Sequence, residues 1–299
     1  GNGRFVRRLI LMKGKAGKPW GMSRFFNRKR YFKMNIRDFE IIDFHTHPFL
    51  ESGTNICSHK EYCNMSADST VATMKELGVS KICGSVIAFD GRVTKENVWE
   101  CLKDHNQEAL KLREKYGDFY IPGIHVHPHF VKESCEEMEK MKKLGINLVG
   151  ELIPYAHFWT DYSCKEFSEI LDVAESLNMV VSFHSMPNED EMDKMVREHK
   201  NVVFVAAHPG EYGEFMRHVE RMKLSENYYL DVSGYGIFRH GMLRHAIDAF
   251  GAERILYGSD YPTCNPAMYI GGVLLDSLIS DSEKELIFAK NAKRLLGLK

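Results

Sequence analysis

His45 and His47 stand two residues apart at the end of the apolar run Ile41-Ile42-Asp43-Phe44, with Thr46 between them and Pro48 after. In an extended strand, side chains at i and i+2 share a face, so both imidazoles can reach one metal ion. The chemistry on offer is chelation of a divalent cation, and imidazole suits zinc, iron, copper and nickel alike. Two unrelated histidines on a half-buried strand would give the same spacing, so further ligands must decide.

Such ligands recur at the ends of later apolar runs. Glu151 closes Leu148-Val149-Gly150, His184 closes Val181-Ser182-Phe183, His208 closes Val205-Ala206-Ala207, and Asp260 follows Tyr257-Gly258-Ser259. Each alone reads equally well as a core histidine or a helix-capping carboxylate. Six metal-binding side chains at equivalent places on five runs are harder to assign to accident, and they mark out a single mouth. Other polar residues nearby carry less weight. His125, His127 and His129 surround the end of another run; His125 and His127 share a face, although His127 precedes Pro128 and fits a loop equally well. Tyr155, His157 and Trp159 could line a pocket, and Arg92 or Arg239 could clamp a substrate carboxylate, but each also reads as an ordinary exposed loop side chain.

These residues need a scaffold that brings strand ends together. From residue 41 onward, short β-branched or apolar runs alternate with amphipathic stretches, which is the pattern of βα units around a parallel sheet. The runs predict eight strands, at about 41–47, 80–88, 119–126, 146–151, 179–184, 202–207, 228–232 and 254–259. Helices are expected at 67–77, 95–116, 132–144, 164–177, 189–199, 213–224 and 240–250, with closing helices at 266–278 and 282–296. Gly78, Gly117, Gly145 and Gly251 follow four of them, where a left-handed residue ends a helix most easily. Eight units without a linker give an α/β fold, a single-domain (β/α)8 TIM barrel over residues 39–299, whose active site lies at the C-terminal ends of the strands. The rival is an open Rossmann-type sheet, but no G-x-G-x-x-G follows the first strand. The connection from Pro48 to about Met65 is long enough to be a substrate loop.

Composition agrees with a globular enzyme: of 299 residues, 44% are hydrophobic and 27% charged. No stretch approaches the roughly 20 apolar residues that cross a bilayer, and no secretory leader is visible. The seven scattered cysteines lack a C-x-x-C and suit reduced thiols, so a cytoplasmic protein is expected. A small zinc site at Cys57, His59 and Cys63 lacks a properly spaced fourth ligand. The net charge of −1 hides an asymmetry: residues 1–33 hold eleven Lys and Arg and no acid, leaving 29 basic against 41 acidic residues in the remainder. Such a tail could bind nucleic acid or an anionic surface. Because Met34-Asn35-Ile36 makes a natural start, residues 1–38 are instead read as an accessory or mistakenly included extension outside the fold.

The F-H-T-H-P start at Phe44–Pro48, the A-H-P-G turn at Ala207–Gly210, the D-V-S-G stretch at Asp231–Gly234 and the Y-G-S-D-Y-P ending at Tyr257–Pro262 resemble the amidohydrolase superfamily. They are most similar to its amidohydrolase-related branch of metal-dependent TIM-barrel hydrolases, from about residue 39 to the C-terminus. The resemblance implies that His45 and His47 ligate a buried metal, with Asp260 as a further ligand and proton shuttle. In members with one metal, the residue matching His184 binds that ion and the one matching His208 faces substrate. In members with two, both bind the second ion, and a strand-four carboxylate or carbamylated lysine bridges the pair. Glu151 stands at that position, though it would also serve by hydrogen-bonding a ligand histidine. One firmly bound divalent metal is expected, Zn2+ first, with a second ion open.

A divalent ion lowers the pKa of bound water towards about 7 and polarises carbonyls. Asp260 can shuttle the proton to the leaving group, and His208 can steady the developing oxyanion or hold the second ion. The expectation is therefore hydrolysis of a small-molecule amide, lactone or ester, with no nucleic-acid or membrane partner and a homo-oligomer allowed. The alternative is a metal-dependent decarboxylase of an aromatic or enolic carboxylic acid, because both reactions use the same ligands. A catalytically silent metal-binding barrel ranks third, since Asp260 and His208 supply proton-transfer groups that metal storage does not need.

Overall fold

In the computed structural model the apolar runs form eight parallel strands: β1 (Ile41–Asp43), β2 (Val79–Gly84), β3 (Tyr120–Ile124), β4 (Leu148–Leu152), β5 (Val180–His184), β6 (Val203–Ala207), β7 (Tyr228–Asp231) and β8 (Ile255–Leu256). The structure describes residues 35–50, 65–87 and 91–299. The basic tail, the Cys57/His59/Cys63 cluster and most of the expected substrate loop lie outside the described residues. Strands pair in chain order, each parallel to the next. The ring closes beyond the ladder: Phe44 N donates to Tyr257 O (3.0 Å), Asp260 N to His45 O (2.8 Å) and His47 N to Tyr261 O (2.8 Å). This is the (β/α)8 TIM barrel, and Asn35–Lys299 forms one compact unit.

Helices follow the strands: α1 (Ala67–Glu76), α2 (Val98–Tyr116), α3 (Val131–Lys143), α4 (Lys165–Ser176), α5 (Glu189–Glu198), α6 (Tyr212–Arg221), α7 (Met242–Phe250) and α8 (Pro266–Leu274). The helix α4 shows why: its buried residues Phe167, Ile170, Leu171 and Ala174 fall at i, i+3, i+4 and i+7, one apolar stripe facing the sheet. The start of α1 is fixed by Ser66, whose hydroxyl accepts from Ser69 N while Ser69 returns the bond. Among the described residues, no helix is long and apolar enough to cross a membrane.

The N-terminal end of the barrel is a dry floor. Ile42, Leu148, Val180, Val205 and Leu256 pack with Ala289, Ala292 and Leu296 of the C-terminal helical run. Burying such a side chain contributes about 1.5–3 kcal/mol, so the floor anchors the strands whose other ends carry the polar groups. That last run, expected as one helix over 282–296, is α9 (Asp281–Glu285), a π-helical turn (Leu286–Lys290) and α10 (Asn291–Leu296).

The two ladders that meet at the closure are shorter than expected. β1 stops at Asp43 because its carboxylate turns inward, accepting from His45 N (3.2 Å), Ser259 N (3.0 Å) and Ser259 Oγ (2.5 Å). β8 stops at Leu256 because the chain beyond it bonds instead to the segment after β1, and Tyr257 N donates to Ile287 O at 2.8 Å. His45 and His47 thus lie past the end of β1, in an extended segment clamped between β2 and the chain after β8. Gly84 makes room for it: a Cβ there would sit 1.8 Å from Thr46 O.

Candidate functional site

The segment Phe44–His47 keeps the geometry expected of a strand. Thr46 N donates to Cys83 O (2.8 Å), which fixes Thr46 outward and turns both neighbouring imidazoles into the barrel. His47 Nδ1 donates to Ser85 O at 3.0 Å, and His45 Nδ1 donates to Asp231 Oδ2 at 2.9 Å. With the Nδ1 atoms so engaged, both Nε2 lone pairs face inward, 3.2 Å apart. Glu151 Oε2 lies 3.1 Å from each, and Asp260 Oδ1 lies 3.6 Å from His45 Nε2 and 3.4 Å from His47 Nε2.

Glu151 sits inside β4, one residue before its end, and presents its second oxygen to the other two histidines. Oε1 is 3.1 Å from His184 Nδ1 and 3.6 Å from His208 Nε2. His208 and Asp260 both hold left-handed backbone, at φ 71 and 60. For residues with a side chain this conformation is uncommon and costs on the order of 1–3 kcal/mol, an expense that concentrates at functional sites. All six residues predicted at the strand ends are therefore brought together.

The electrostatics call for a cation. Burial opposes charge on His45, but Glu151 and Asp231 outweigh it and hold the imidazole well above its ordinary pKa. Burial likewise opposes charge on His47, yet Asp260 and Glu151 lift it to about 9. Glu151 is held well below the usual carboxylate range despite its burial, chiefly by His45 and His184. A proton on one Nε2 can answer only one of the facing lone pairs. A divalent ion among Nε2, Nε2 and two carboxylate oxygens answers all of them, so the donor set fits such an ion. Among the described residues, two triads have all their ligand atoms within 4.8 Å of one another: His45, His47 and Asp260, and His45, Glu151 and His208. His184 belongs to neither.

The less certain residues divide. His125 Nε2 donates to Val86 O (2.7 Å), and His127 uses both ring nitrogens, Nε2 donating to His157 O (2.8 Å) and Nδ1 accepting from His129 N (3.1 Å). Burial pushes His125 down to about 3 and His127 to about 4. Neither joins the ligand triads. Tyr155 lines the cavity with its ring 5.1 Å from that of His184, whereas Trp159 and His157 are buried behind it. Arg239 is occupied by Gly210 O (2.6 Å) and the Glu211 carboxylate, and Arg92 is exposed; neither lines the cavity.

That cavity measures about 150 Å3 and is bounded by His47, Glu151, His184, His208 and Asp260 on one side and by Ile87, Ile153, Tyr155 and Thr263 on the other. A larger hollow of about 750 Å3 opens at the opposite end, at the starts of β5 to β7, and contains none of the six residues. Chemistry needs the ligands, so the smaller cavity is the candidate site. Two residues of the D-V-S-G stretch were given no role by the sequence reading: Asp231, which holds His45, and Ser233, whose Oγ lies 2.9 Å from His45 Nδ1 and 3.1 Å from His208 Nδ1. The signal was present, because Asp231 is another carboxylate at a strand end.

Comparison with known proteins places this geometry. The amidohydrolase family model matches residues 42–298. The chain belongs to the amidohydrolase family. No curated protein matches it. Among solved structures, it is similar to 2,6-dihydroxybenzoate decarboxylase from Rhizobium, at 15% identity and TM-score 0.68, over 87% of this chain and 99% of that one. It is similar to a 5-carboxyvanillate decarboxylase from Novosphingobium aromaticivorans with bound manganese, at 13% identity and TM-score 0.66, over 88% and 98%. It also resembles a probable 2-pyrone-4,6-dicarboxylic acid hydrolase from Acinetobacter baumannii, at 18% identity and TM-score 0.61, over 87% and 100%. At these identities the likenesses establish the fold.

Proposed function

We propose that this chain is a metal-dependent decarboxylase, a lyase that removes carbon dioxide from a small aromatic or enolic carboxylic acid. The observation that carries the reading is the two-sided cavity of about 150 Å3: a largely apolar wall of Ile87, Ile153 and the Tyr155 ring, with Thr263 beside it, faces the ligand cluster, with no Lys or Arg among its described lining residues. The volume suits one small ring. With no guanidinium or ammonium among the described lining residues, a substrate carboxylate would find its positive charge at the metal position, which puts the acid group itself at the reacting centre. The decarboxylase activity of two structural neighbours supports the same choice over the hydrolysis expected from sequence.

His45 and His47, with Asp260 and Glu151, would hold the ion, His184 and His208 facing the other oxygen of Glu151. When bound, a divalent ion supplies the charge that holds the carboxylate and stabilises negative charge developing on the neighbouring oxygen. The apolar wall orients the ring and excludes water. Asp260 turns Oδ1 to the imidazoles, and Oδ2, which accepts from Cys264 Sγ at 3.9 Å, is the oxygen that would pass a proton. As the carbon–carbon bond breaks and carbon dioxide departs, the electron pair left on the ring carbon takes that proton, and the next proton comes from solvent. Mn2+ is the first ion to test, because one neighbour carries it and carboxylate ligands suit it; Zn2+ is the second.

One observation favours a hydrolase as the second reading. Glu151 offers a separate oxygen to each pair of imidazoles, an arrangement that suits two cations and in-line attack by water. Metal-loaded protein incubated with a panel of hydroxybenzoic acids, pyrone carboxylates and lactones, followed by headspace carbon dioxide and by 18O from labelled water, separates the two. Carbon dioxide release with no 18O in the organic product supports the lyase, and 18O in a ring-opened product with no gas overturns it.

A further inference from the structure

The D-V-S-G stretch has no task in the chemistry above beyond the hold of Asp231 on His45, yet Ser233 is fully buried against both halves of the ligand cluster. Its hydroxyl has one proton and three polar neighbours: Asp231 Oδ1 within hydrogen-bonding distance, His45 Nδ1 at 2.9 Å and His208 Nδ1 at 3.1 Å. The proton can go to only one of them. Asp231 Oδ1 already accepts from Ser233 N at 2.9 Å and belongs to a carboxylate. Were the hydroxyl proton given to His208 instead, the Ser233 oxygen would meet the Asp231 oxygen lone pair to lone pair at close range. The charge-assisted bond to Asp231 therefore takes the proton.

Both lone pairs of Ser233 Oγ then face imidazole nitrogens, and each of those must be a donor. His45 Nδ1–H is shared between Asp231 Oδ2 and Ser233 Oγ, and His208 Nδ1–H points at Ser233 Oγ alone among the described side chains. The opposite nitrogens both face Glu151: His45 Nε2 at 3.1 Å from Oε2, and His208 Nε2, left bare, at 3.6 Å from Oε1. The ring of His208 can lie there because residue 234 is glycine; a Cβ would come within 2.2 Å of His208 Nδ1.

We infer that Ser233 is a positioning residue that holds a proton on Nδ1 of both His45 and His208, aiming each Nε2 at Glu151, where a cation can take it. His45 has Asp231 as a second acceptor, so its Nδ1–H survives loss of the hydroxyl. His208 has no substitute, and removing the hydroxyl leaves a buried N–H without a partner, which drives the proton to Nε2, towards Glu151 Oε1. The consequence for metal rests on the metal-site reading above, whereas the tautomer assignment does not.

The test is a long-range 1H–15N spectrum of the metal-free full chain at pH 8, with His208 assigned by His208→Gln, for the wild type, Ser233→Ala and Ser233→Thr. Expected is Nδ1–H His208 in the wild type and Ser233→Thr, with a shift to Nε2–H in Ser233→Ala while His45 is unmoved. A Mn2+ titration of the same samples should show roughly 10–100-fold weaker binding at the His208 side in Ser233→Ala, restored by threonine. A wild-type His208 protonated on Nε2, or the same tautomer in wild type and Ser233→Ala, overturns the inference. The expected tautomers in a wild type that binds no Mn2+ uphold the role of Ser233 and overturn the metal reading alone.

Discussion

Two groups of histidines stand near one another at the mouth of this barrel, and their surroundings drive them to opposite electrical states. His45 and His47 are nearly inaccessible to solvent, as are His125, His127 and His157. Burial disfavours a charged imidazole in every case. In the first group it loses, because Glu151, Asp231 and Asp260 face the rings; in the second it wins, because the rings meet backbone carbonyls and one another. A buried histidine becomes a candidate ligand when carboxylates share its pocket, and stays a structural hydrogen-bonding group when they do not.

The largest effects should separate the groups completely. Stripping the protein with a chelator should abolish turnover, and adding back Mn2+ or Zn2+ should restore it, measured as carbon dioxide released from the best acid of the panel. Asp260→Asn should lower kcat by about 10^3, within the range for loss of a proton-transferring group, in protein that still folds. His127→Gln, from the second group, should change kcat by less than about threefold, because both its nitrogens serve the fold. Full activity in Asp260→Asn would remove the proposed proton donor, and loss of metal in His127→Gln would erase the division between the groups.

A pH series on the metal-free protein should reveal the groups as limbs of opposite slope. His125 and His127 have folded pKa values near 3 and 4, below the roughly 6.5 of an unfolded histidine. Their contribution is complete above 6.5 and drains as pH falls, by on the order of 1 kcal/mol per pH unit for each histidine. His47 has a folded value near 9, so its contribution is complete below 6.5 and drains as pH rises from there to 9. Urea denaturation between pH 4.5 and 9 should therefore show a maximum near 6.5. Metal ions replace the proton between the site histidines, so loading should flatten the alkaline limb and steepen the acid limb, where unfolded histidines take up protons that the loaded site does not. An alkaline limb that ignores metal would place the cation elsewhere.

The same contrast explains what the sequence could and could not reveal. Strand ends were legible, because the β-branched runs that must be buried stop where polar side chains begin, and Glu151, His184, His208 and Asp260 each sit at such a stop. The barrel followed from the rhythm of those runs. Illegible were the partners that decide charge. Nothing in the spacing of His125 and His127 says that they meet the carbonyls of Val86 and His157. Nothing near His45 says that Asp231, 186 residues away, holds its Nδ1. The ladder ends were misjudged for a related reason: Asp43 looks like one more strand residue until its carboxylate is seen bridging to Ser259, a bond between the two ends of the chain's path around the barrel.

The smallest predicted effect tests the apolar wall against the ligand side. Tyr155 is about half exposed, and its ring meets His184 edge-on at 5.1 Å, so it can stack on a substrate ring while steadying a candidate ligand. Aromatic contacts of this kind are worth about 0.5–1.5 kcal/mol, a factor of roughly 2 to 12. Tyr155→Ala should raise KM by that factor with kcat nearly unchanged, because the ring binds ground state and transition state alike. Tyr155→Phe should behave as the wild type if stacking is the whole contribution. A fall in kcat with Tyr155→Phe would instead make the hydroxyl part of the chemistry and shift the line between wall and reacting side by one residue.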